Sequence, residues 1–336
     1  MTNILHITEA GGGVIEIVKN IIETDCNNHH TLLVRRRDFS SLTIERLDLE
    51  FEIHFWDGNL IKAVKNYREI NRSQEIDIVH MHSSRAGLLR MLIFGPAKVY
   101  SPHCFAFERL DIPPVMRWIY RMVELVLLRF SDGFLGVNLS EVNWAKRRSP
   151  RIRTTLYEFV APPGSRTRNT KRIISVGRIC KQKDPEKFSQ IISSLRKCGL
   201  EIEAIWVGDG DKKSREFLEN SGVRVTGWRP SEDVASLLKS SRILLHTAKW
   251  EGMPVVFYEA WSIGLPIIAV EADYLAGVSA VSRFQSIVQA LDLIKLELKT
   301  EARMEPKVKS KRIASQELHD FYQGLNPKLR PVTSEK

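Results

Sequence analysis

Short apolar runs alternate with stretches of three- to four-residue periodicity along the chain, the pattern of βαβ units on a parallel sheet. Runs at 3–8, 30–35, 51–56, 76–82, 98–103 and 132–138 read as strands, and 13–23, 59–73, 84–94, 113–130 and 140–147 as helices. Around 150–172 the sequence turns rich in Pro, Gly, Arg and Thr and reads as an interdomain connection. The pattern then restarts, with strands at 172–177, 202–208, 223–228, 242–248 and 266–270. Helices at about 185–198, 212–221, 231–240, 254–263 and 283–299 connect them. The predicted fold is α/β, with two Rossmann-like domains, 1–160 and 161–316, and a loose tail at 317–336. Two such domains are expected to face one another across a cleft, with ligands beyond the carboxyl ends of the strands.

Length and composition fit that picture, with 336 residues, 43% of them apolar and 27% charged. The net charge of +10 is uneven: residues 1–165 carry 21 Lys/Arg against 19 Asp/Glu, and 166–336 carry 29 against 21. Such a bias suggests an anionic partner, whether a phosphorylated small molecule, an anionic membrane or nucleic acid. Without aromatic-basic interleaving or a recognisable module, nucleic acid is not expected. Four scattered cysteines with no metal-ligand spacing predict reduced thiols, no metal site and a cytoplasmic location. The start "MTNILHITEA" lacks a signal peptide's features, and no run is long and apolar enough to span a membrane. The stretch "PPVMRWIYRMVELVLLRF" (113–130) is amphipathic, broken by Arg117, Arg121, Glu124 and Arg129. It reads either as a core-packing helix or as one lying on a membrane surface.

Candidate chemistry sits where strands end. Gly11, Gly12 and Gly13 open the first helix, where backbone N–H groups and the helix dipole favour an anion. A dinucleotide site would want an acid closing the second strand; "LLVRRRD" stands there instead. In the second half, "SVGRICKQKDP" places Gly177, Arg178 and Lys183 just past a strand, where two cations could clamp a diphosphate. Gly208 and Gly210 close the next strand and Gly227 another, leaving backbone space along one rim. In "WEGMPVVFYEAWSIGLPIIAV", Pro254 suits a helix start, so Glu251, Gly252 and Met253 stand at its N-terminus ahead of Val255. Glu259 falls between one and two turns into that helix. A carboxylate there accepts two hydroxyl hydrogen bonds and suits the vicinal diol of ribose or a hexose.

Assembled, these blocks resemble the retaining GT-B glycosyltransferases of family 4, with their E-x7-E motif. "EGMPVVFYEAWSIGLPIIA" is similar to that family's signature block, and "VGRICKQKDP", "VGDGD", the glycine loop and "DIVHMHSSRAG…VYSPHCFAF" follow its other segments in order. The resemblance implies GT-B architecture and transfer of a sugar from a nucleotide-sugar, by family habit a UDP-sugar, to an acceptor hydroxyl with retention. It implies that Glu259 binds the donor ribose and that Glu251 approaches the transferred sugar. Arg178 and Lys183 would neutralise the diphosphate without a metal cofactor, His103 would lie near sugar and acceptor, and Gly12 and Gly13 would contact phosphates or acceptor. The implied partners are a nucleotide-sugar and a glycolipid or saccharide-precursor acceptor, with peripheral contact at an anionic membrane. Departures are Cys104 where the family usually has glycine after Pro-His, "VAPPGS" at the linker, and "EADYLAGVSAV" after Val270. The alternative is a catalytically silent relative that binds a nucleotide-sugar or a partner enzyme; a GT-B epimerase is a further one.

Overall fold

The computed structural model describes residues 1–9, 11–35, 51–167, 171–300, 304–307 and 309–326. Arg36, Arg37 and Asp38 of the arginine run, and positions 327–336 of the expected tail, lie outside the described residues.

The chain forms two compact units. The first contains Met1–Glu108, Ile112–Val160 and the segment that begins at Lys309; the second contains Arg109–Asp111 and Ala161–Val308. In the first unit, β1 (Asn3–Glu9), β2 (His29–Arg35), β3 (Glu52–Trp56), β4 (Ile78–His82), β5 (Ala97–Ser101), β6 (Gly133–Gly136) and β7 (Arg153–Leu156) form one sheet. Its order is β3-β2-β1-β4-β5-β6-β7, with every pairing parallel. In the second, β8 (Arg172–Val176), β9 (Glu203–Val207), β10 (Arg224–Val225), β11 (Ile243–His246), β12 (Ile267–Val270) and β13 (Ser282–Phe284) run in the order β10-β9-β8-β11-β12-β13, again all parallel.

Both orders are doubly wound. The strand sequence reverses direction between β1 and β4 in one sheet and between β8 and β11 in the other, which opens a ligand crevice at the carboxyl ends of those strands. Central strands such as β4 and β11 are buried at every position, as a parallel sheet covered on both faces requires. The second unit's core gathers Phe188, Ile191 and Leu195 of helix Pro185–Lys197 against Trp206 and Leu245 of the sheet.

The structure corrects the sequence reading in several places. The stretch 84–94 is a 3-10 helix, Ala86–Met91, not an α-helix. The start of the supposed linker, Arg153–Leu156, is the edge strand β7, too short and polar to show a strand period. Strand 223–228 shrinks to two residues, and β13 occupies the start of the helix expected at 283. The expected division at 316/317 fails because helix Lys311–Gln323 packs on the first unit, burying Ala314, Leu318, Phe321 and Tyr322. Arginine, lysine and glutamine on its outer face mask that amphipathic stripe in a charged segment.

Helix Pro114–Leu128 meets neither half of its sequence reading fully. Glu124 is not on its wet face but buried, bonding Arg90 Nη2 (2.9 Å) and receiving the Tyr100 hydroxyl (2.8 Å). Only Glu124, Leu127 and Leu128 are buried, whereas Val115, Trp118, Ile119, Met122, Val123 and Val126 are exposed.

Candidate active site

In the second unit the functional side chains are carried by loops at the carboxyl ends of β8 and β11, flanking the switch point. The loop after β8 is held rigidly against the loop after β9. Gly177 N–H donates to Val207 O, Trp206 Nε1 to Gly177 O, Ile179 N–H to Asp209 O and Asp211 N–H to Ile179 O, all at 2.8–2.9 Å. Gly177 and Gly208 have φ of 143° and 135°, open only to glycine. A Cβ at 208 would overlap the carbonyl oxygen of Gly177, and one at 210 that of Ile179. Gly208 and Gly210 therefore owe their identity to the close approach of two loops. The sequence reading ascribed them to ligand space; only at Gly227 is the nearest atom as far as 3.9 Å, on Asp209.

The β8 loop presents Arg178 to solvent and then folds back. Thr247 Oγ1, just after β11, donates to the carbonyls of Lys183 (2.7 Å) and Asp184 (3.1 Å), and Gln182 Nε2 to Trp250 O (2.8 Å). Asp184 caps helix Pro185–Lys197 and pairs with Lys249 at 3.2 Å. These ties carry Lys183 to Glu251, and Nζ and Oε1 meet at 2.6 Å with side chains only 16% and 13% exposed. Candidate cation and candidate carboxylate thus lie side by side, neutralising each other. Close by, burial and then the Lys183 charge hold His246 well below the usual histidine range.

Helix Val255–Ser262 starts one residue later than expected. Pro254 is its N-cap, with extended ψ of 123°, rather than its first turn. Gly252, Met253 and Pro254 are buried, and Val255 and Glu259 are half-buried. The fold gathers Gly177, Arg178, Lys183, Gly208, Gly210, Gly227, Glu251 and Glu259 along one end of the second sheet.

The other candidates, Gly12, Gly13 and His103, belong to the first unit, also at carboxyl strand ends. Gly12 is the N-cap of helix Gly13–Thr24 with φ 55° and ψ −141°, and a Cβ on Gly11 or Gly12 would meet nothing within 4 Å. That loop is open, as an anion site needs. Arg35, which closes β2, pairs with Glu9 of β1 at 2.9 Å, so the arginine in place of the dinucleotide-binding acid serves a strand-end ion pair.

His103 stands two residues past β5 with φ 55°, and Cys104 follows at 109°. Two consecutive non-glycine residues with positive φ store about 1–3 kcal/mol each, a cost typical of functional loops. Glu141, which sequence reasoning missed, holds this turn. Its carboxyl accepts from Cys104 N–H and Val137 N–H, both at 2.9 Å. Burial, then the nearby Glu108, push its pKa up to about 8, against the lowering effect of those two donors. The signal was present as Asn138-x-x-Glu141, which resembles a helix capping box. Behind His103 lies an equally unforeseen set of buried histidines. His82 Nδ1 is 2.9 Å from His103 Nε2, and His6 Nδ1 is 2.9 Å from His82 Nε2. Burial holds His6, His80 and His82 well below the usual histidine range and brings His103 down to about 3. His6, His80 and His82 offer ring nitrogens within 4.8 Å of one another, close enough for a metal ion. Both nitrogens of each already have partners, since His80 bonds Tyr322 and Ser101 at 2.8 Å each.

Comparison with known proteins agrees with this geometry. Residues 170–285 match the family model "Glycosyl transferases group 1". The chain is 26% identical over 239 residues to the UDP-Gal:α-D-GlcNAc-diphosphoundecaprenol α-1,3-galactosyltransferase of Escherichia coli, covering 62% of this chain and 61% of that one. Among solved structures it superposes on the sucrose-phosphate synthase of Thermosynechococcus elongatus with TM-score 0.71 and 15% identity, over 97% of this chain and 95% of that one. For S. aureus TarM in complex with fondaparinux, α-GlcNAc-glycerol and UDP, the values are 0.72 and 8%, over 97% and 100%. The chain therefore has the GT-B fold, and the segment that resembles the group 1 glycosyl transferases lies in its second unit.

Proposed function

We propose that the protein is a retaining, metal-independent glycosyltransferase that moves a hexosyl group from a UDP-sugar to a hydroxyl of a lipid-linked or saccharide acceptor. The observation that carries this reading is the convergence of the Gly177–Lys183 loop and the Glu251–Glu259 segment at the switch point of the second sheet, sealed by the Lys183–Glu251 contact. Arg178 and Lys183 offer two cations to a diphosphate, where charge develops as the glycosidic bond breaks. That arrangement takes the place of a divalent ion. Glu259 receives the ribose diol, and Glu251 stands between Lys183 and the sugar. The donor base and the acceptor class follow the names of the relatives, a UDP-galactose-dependent enzyme acting on a diphosphoundecaprenol-linked sugar and a UDP complex.

A lipid-linked acceptor accords with helix Pro114–Leu128. No helix among the described residues is long and apolar enough to cross a membrane. This one instead presents Trp118, Ile119, Met122, Val123 and Val126 outward, with Arg117 and Arg121 along the same helix and Arg129 at its C-cap. We place it flat on an anionic leaflet, apolar side chains in the acyl boundary and arginines at the headgroups, which puts the protein peripherally at the cytoplasmic face. Trp118→Glu with Val126→Glu should abolish sedimentation with phosphatidylglycerol vesicles; unchanged sedimentation contradicts the placement.

Titration calorimetry with UDP, GDP and ADP in EDTA tests the donor site. Saturable binding of UDP that weakens ten- to hundredfold in Arg178→Ala is expected, because one charge-assisted hydrogen bond is worth roughly 1.5–3 kcal/mol. No binding of any of the three, or equal binding by the variant, would refute the clamp.

A further inference from the structure

The buried histidines of the first unit form a chain with a direction. From the site inward, His103 Nε2 meets His82 Nδ1 at 2.9 Å, His82 Nε2 meets His6 Nδ1 at 2.9 Å, and His6 Nε2 meets His30 Nδ1 at 3.0 Å. His30 Nε2 then meets the backbone carbonyl of Asp25 at 3.1 Å, with the Asp25 carboxylate 3.4 Å away. Every link joins the Nε2 of one ring to the Nδ1 of the next. The rings come from four different strands or strand ends. His6 is on β1, His30 on β2, His82 on β4, and His103 follows β5; the parallel register lines them up on one face of the sheet.

A neutral imidazole carries one proton, on one nitrogen only. A carbonyl oxygen only accepts, so His30 must hold its proton on Nε2 and accept through Nδ1. His6 must then donate from Nε2 and accept at Nδ1, His82 likewise, and His103 likewise. The terminal carbonyl thereby decides, three rings away, which nitrogen of His103 is protonated. The outcome leaves His103 Nδ1 as a bare lone pair, and that atom is a buried nitrogen without a hydrogen-bond partner. His103 is 9% exposed, and His6 and His82 are fully buried, so water does not compete for the links.

We infer that His82, His6, His30 and Asp25 are positioning residues that lock His103 in the Nε2–H form, so that its Nδ1 accepts a hydrogen bond from a hydroxyl. The inference rests on the proposed function, in which the protein binds hydroxyl-bearing sugars. It adds a selectivity. A lone pair held at Nδ1 attracts an O–H donor and repels phosphate, carboxylate and carbonyl oxygens. The group recognised at His103 is then a sugar hydroxyl, and a ligand lacking it leaves a buried acceptor unpaired, which costs binding strongly. Burial holds His6 and His82 well below the usual histidine range and His103 at about 3, so these three rings stay neutral at pH 8.

The test is long-range 15N–1H correlation NMR of the full chain labelled at histidine, at pH 8, on the wild type, His82→Phe and His30→Phe. Phenylalanine neither donates nor accepts, so it fills the space and breaks the chain of hydrogen bonds. In the wild type His103 should show a deprotonated Nδ1 and a protonated Nε2, as should His6, His30 and His82. Each variant should turn His103 into a mixture of tautomers. With a UDP-sugar and acceptor, kcat should fall about tenfold or more in both variants, a size in keeping with the loss of a tautomer-holding partner. A protonated Nδ1 on wild-type His103 would overturn the inference, as would a His103 tautomer unmoved in both variants. Stoichiometric Zn2+ uptake lost in His80→Gln would also overturn it, replacing the chain by a metal site. The tautomer is read without substrate. Correct tautomers in a protein that transfers no sugar would therefore sink the proposed function while leaving the chain standing.

Discussion

Acidification should unfold the first unit steeply, and the slope follows from its buried groups. His6, His80, His82 and His103 are held neutral in the folded unit, with pKa values lowered from 6.5 and that of His103 brought to about 3. In the unfolded chain all four bind protons below pH 6.5. Stability rises with pH wherever the unfolded state binds more protons, so these four groups remove stability as pH falls through 6.5. Glu141 acts the other way: its pKa is raised from 4.5 to about 8, so its contribution is fully present below 4.5 and is lost as pH rises through 8. Glu16, also raised by burial, acts in the same sense as Glu141. Between pH 6.5 and 4.5 the four histidines therefore outweigh the carboxyls by up to about three protons, or at most roughly 4 kcal/mol per pH unit at 1.36 kcal/mol per proton. A domain stable by about 5–15 kcal/mol would lose a large share of its stability across that window. Urea unfolding followed by tryptophan fluorescence at half-unit steps from pH 8 to pH 4.5 reads the slope directly. His80→Gln should lower it by about one proton, near 1.4 kcal/mol per pH unit. A wild-type slope of one proton or less in that window would refute the reasoning.

Gly208→Ala should lower stability by several kcal/mol, roughly 1–3 from the positive φ alone, with a further cost from the overlap with Gly177 O. Because that overlap displaces the Arg178 loop, UDP affinity should fall along with the melting temperature, and an unchanged melting temperature would show that the loops do not touch. Cys104→Gly should raise stability by about 1 kcal/mol, since relief at φ 109° outweighs the added chain entropy of glycine; denaturant midpoints decide, and a loss would mean that the turn is unstrained.

Much of the fold was legible because a doubly wound sheet writes itself in the sequence. β1, β4, β8 and β11 are apolar runs bounded by glycines or histidines, and their βαβ period shows through. The edges were not legible. β7 reads Arg-Thr-Thr-Leu and β13 Ser-Arg-Phe, and each becomes a strand only because a parallel neighbour supplies its hydrogen bonds. The same applies to helix Lys311–Gln323, whose destination depends on a buried contact between Tyr322 and His80 across 242 positions.

The site divides in the same way. Motif spacing placed the Gly177–Lys183 loop and the Glu251–Glu259 segment at strand ends, because loop positions follow from strand positions. It could not foresee that Lys183 and Glu251 touch, since that depends on Thr247 and Gln182 folding one loop onto another. Nor could it see the histidine chain. His6, His30, His82 and His103 are far apart in sequence, and only the register of β1, β2, β4 and β5 brings them into line. The sequence showed His80-x-His82 as a motif but not what the two rings touch.

The central claim is sugar transfer with retention from a donor held at Arg178, Lys183 and Glu259. The most direct measurement incubates the protein in EDTA with UDP-galactose, UDP-glucose and UDP-N-acetylglucosamine in turn and a diphosphoundecaprenol-linked N-acetylglucosamine acceptor. The product is read by mass spectrometry and the configuration of the new bond by NMR. The account predicts a product one hexose or N-acetylhexosamine heavier with one of these donors, an α-linkage, and loss of product in Arg178→Ala and Glu259→Ala. A β-linked product would contradict retention. Undiminished transfer by both variants would show that the donor is held elsewhere.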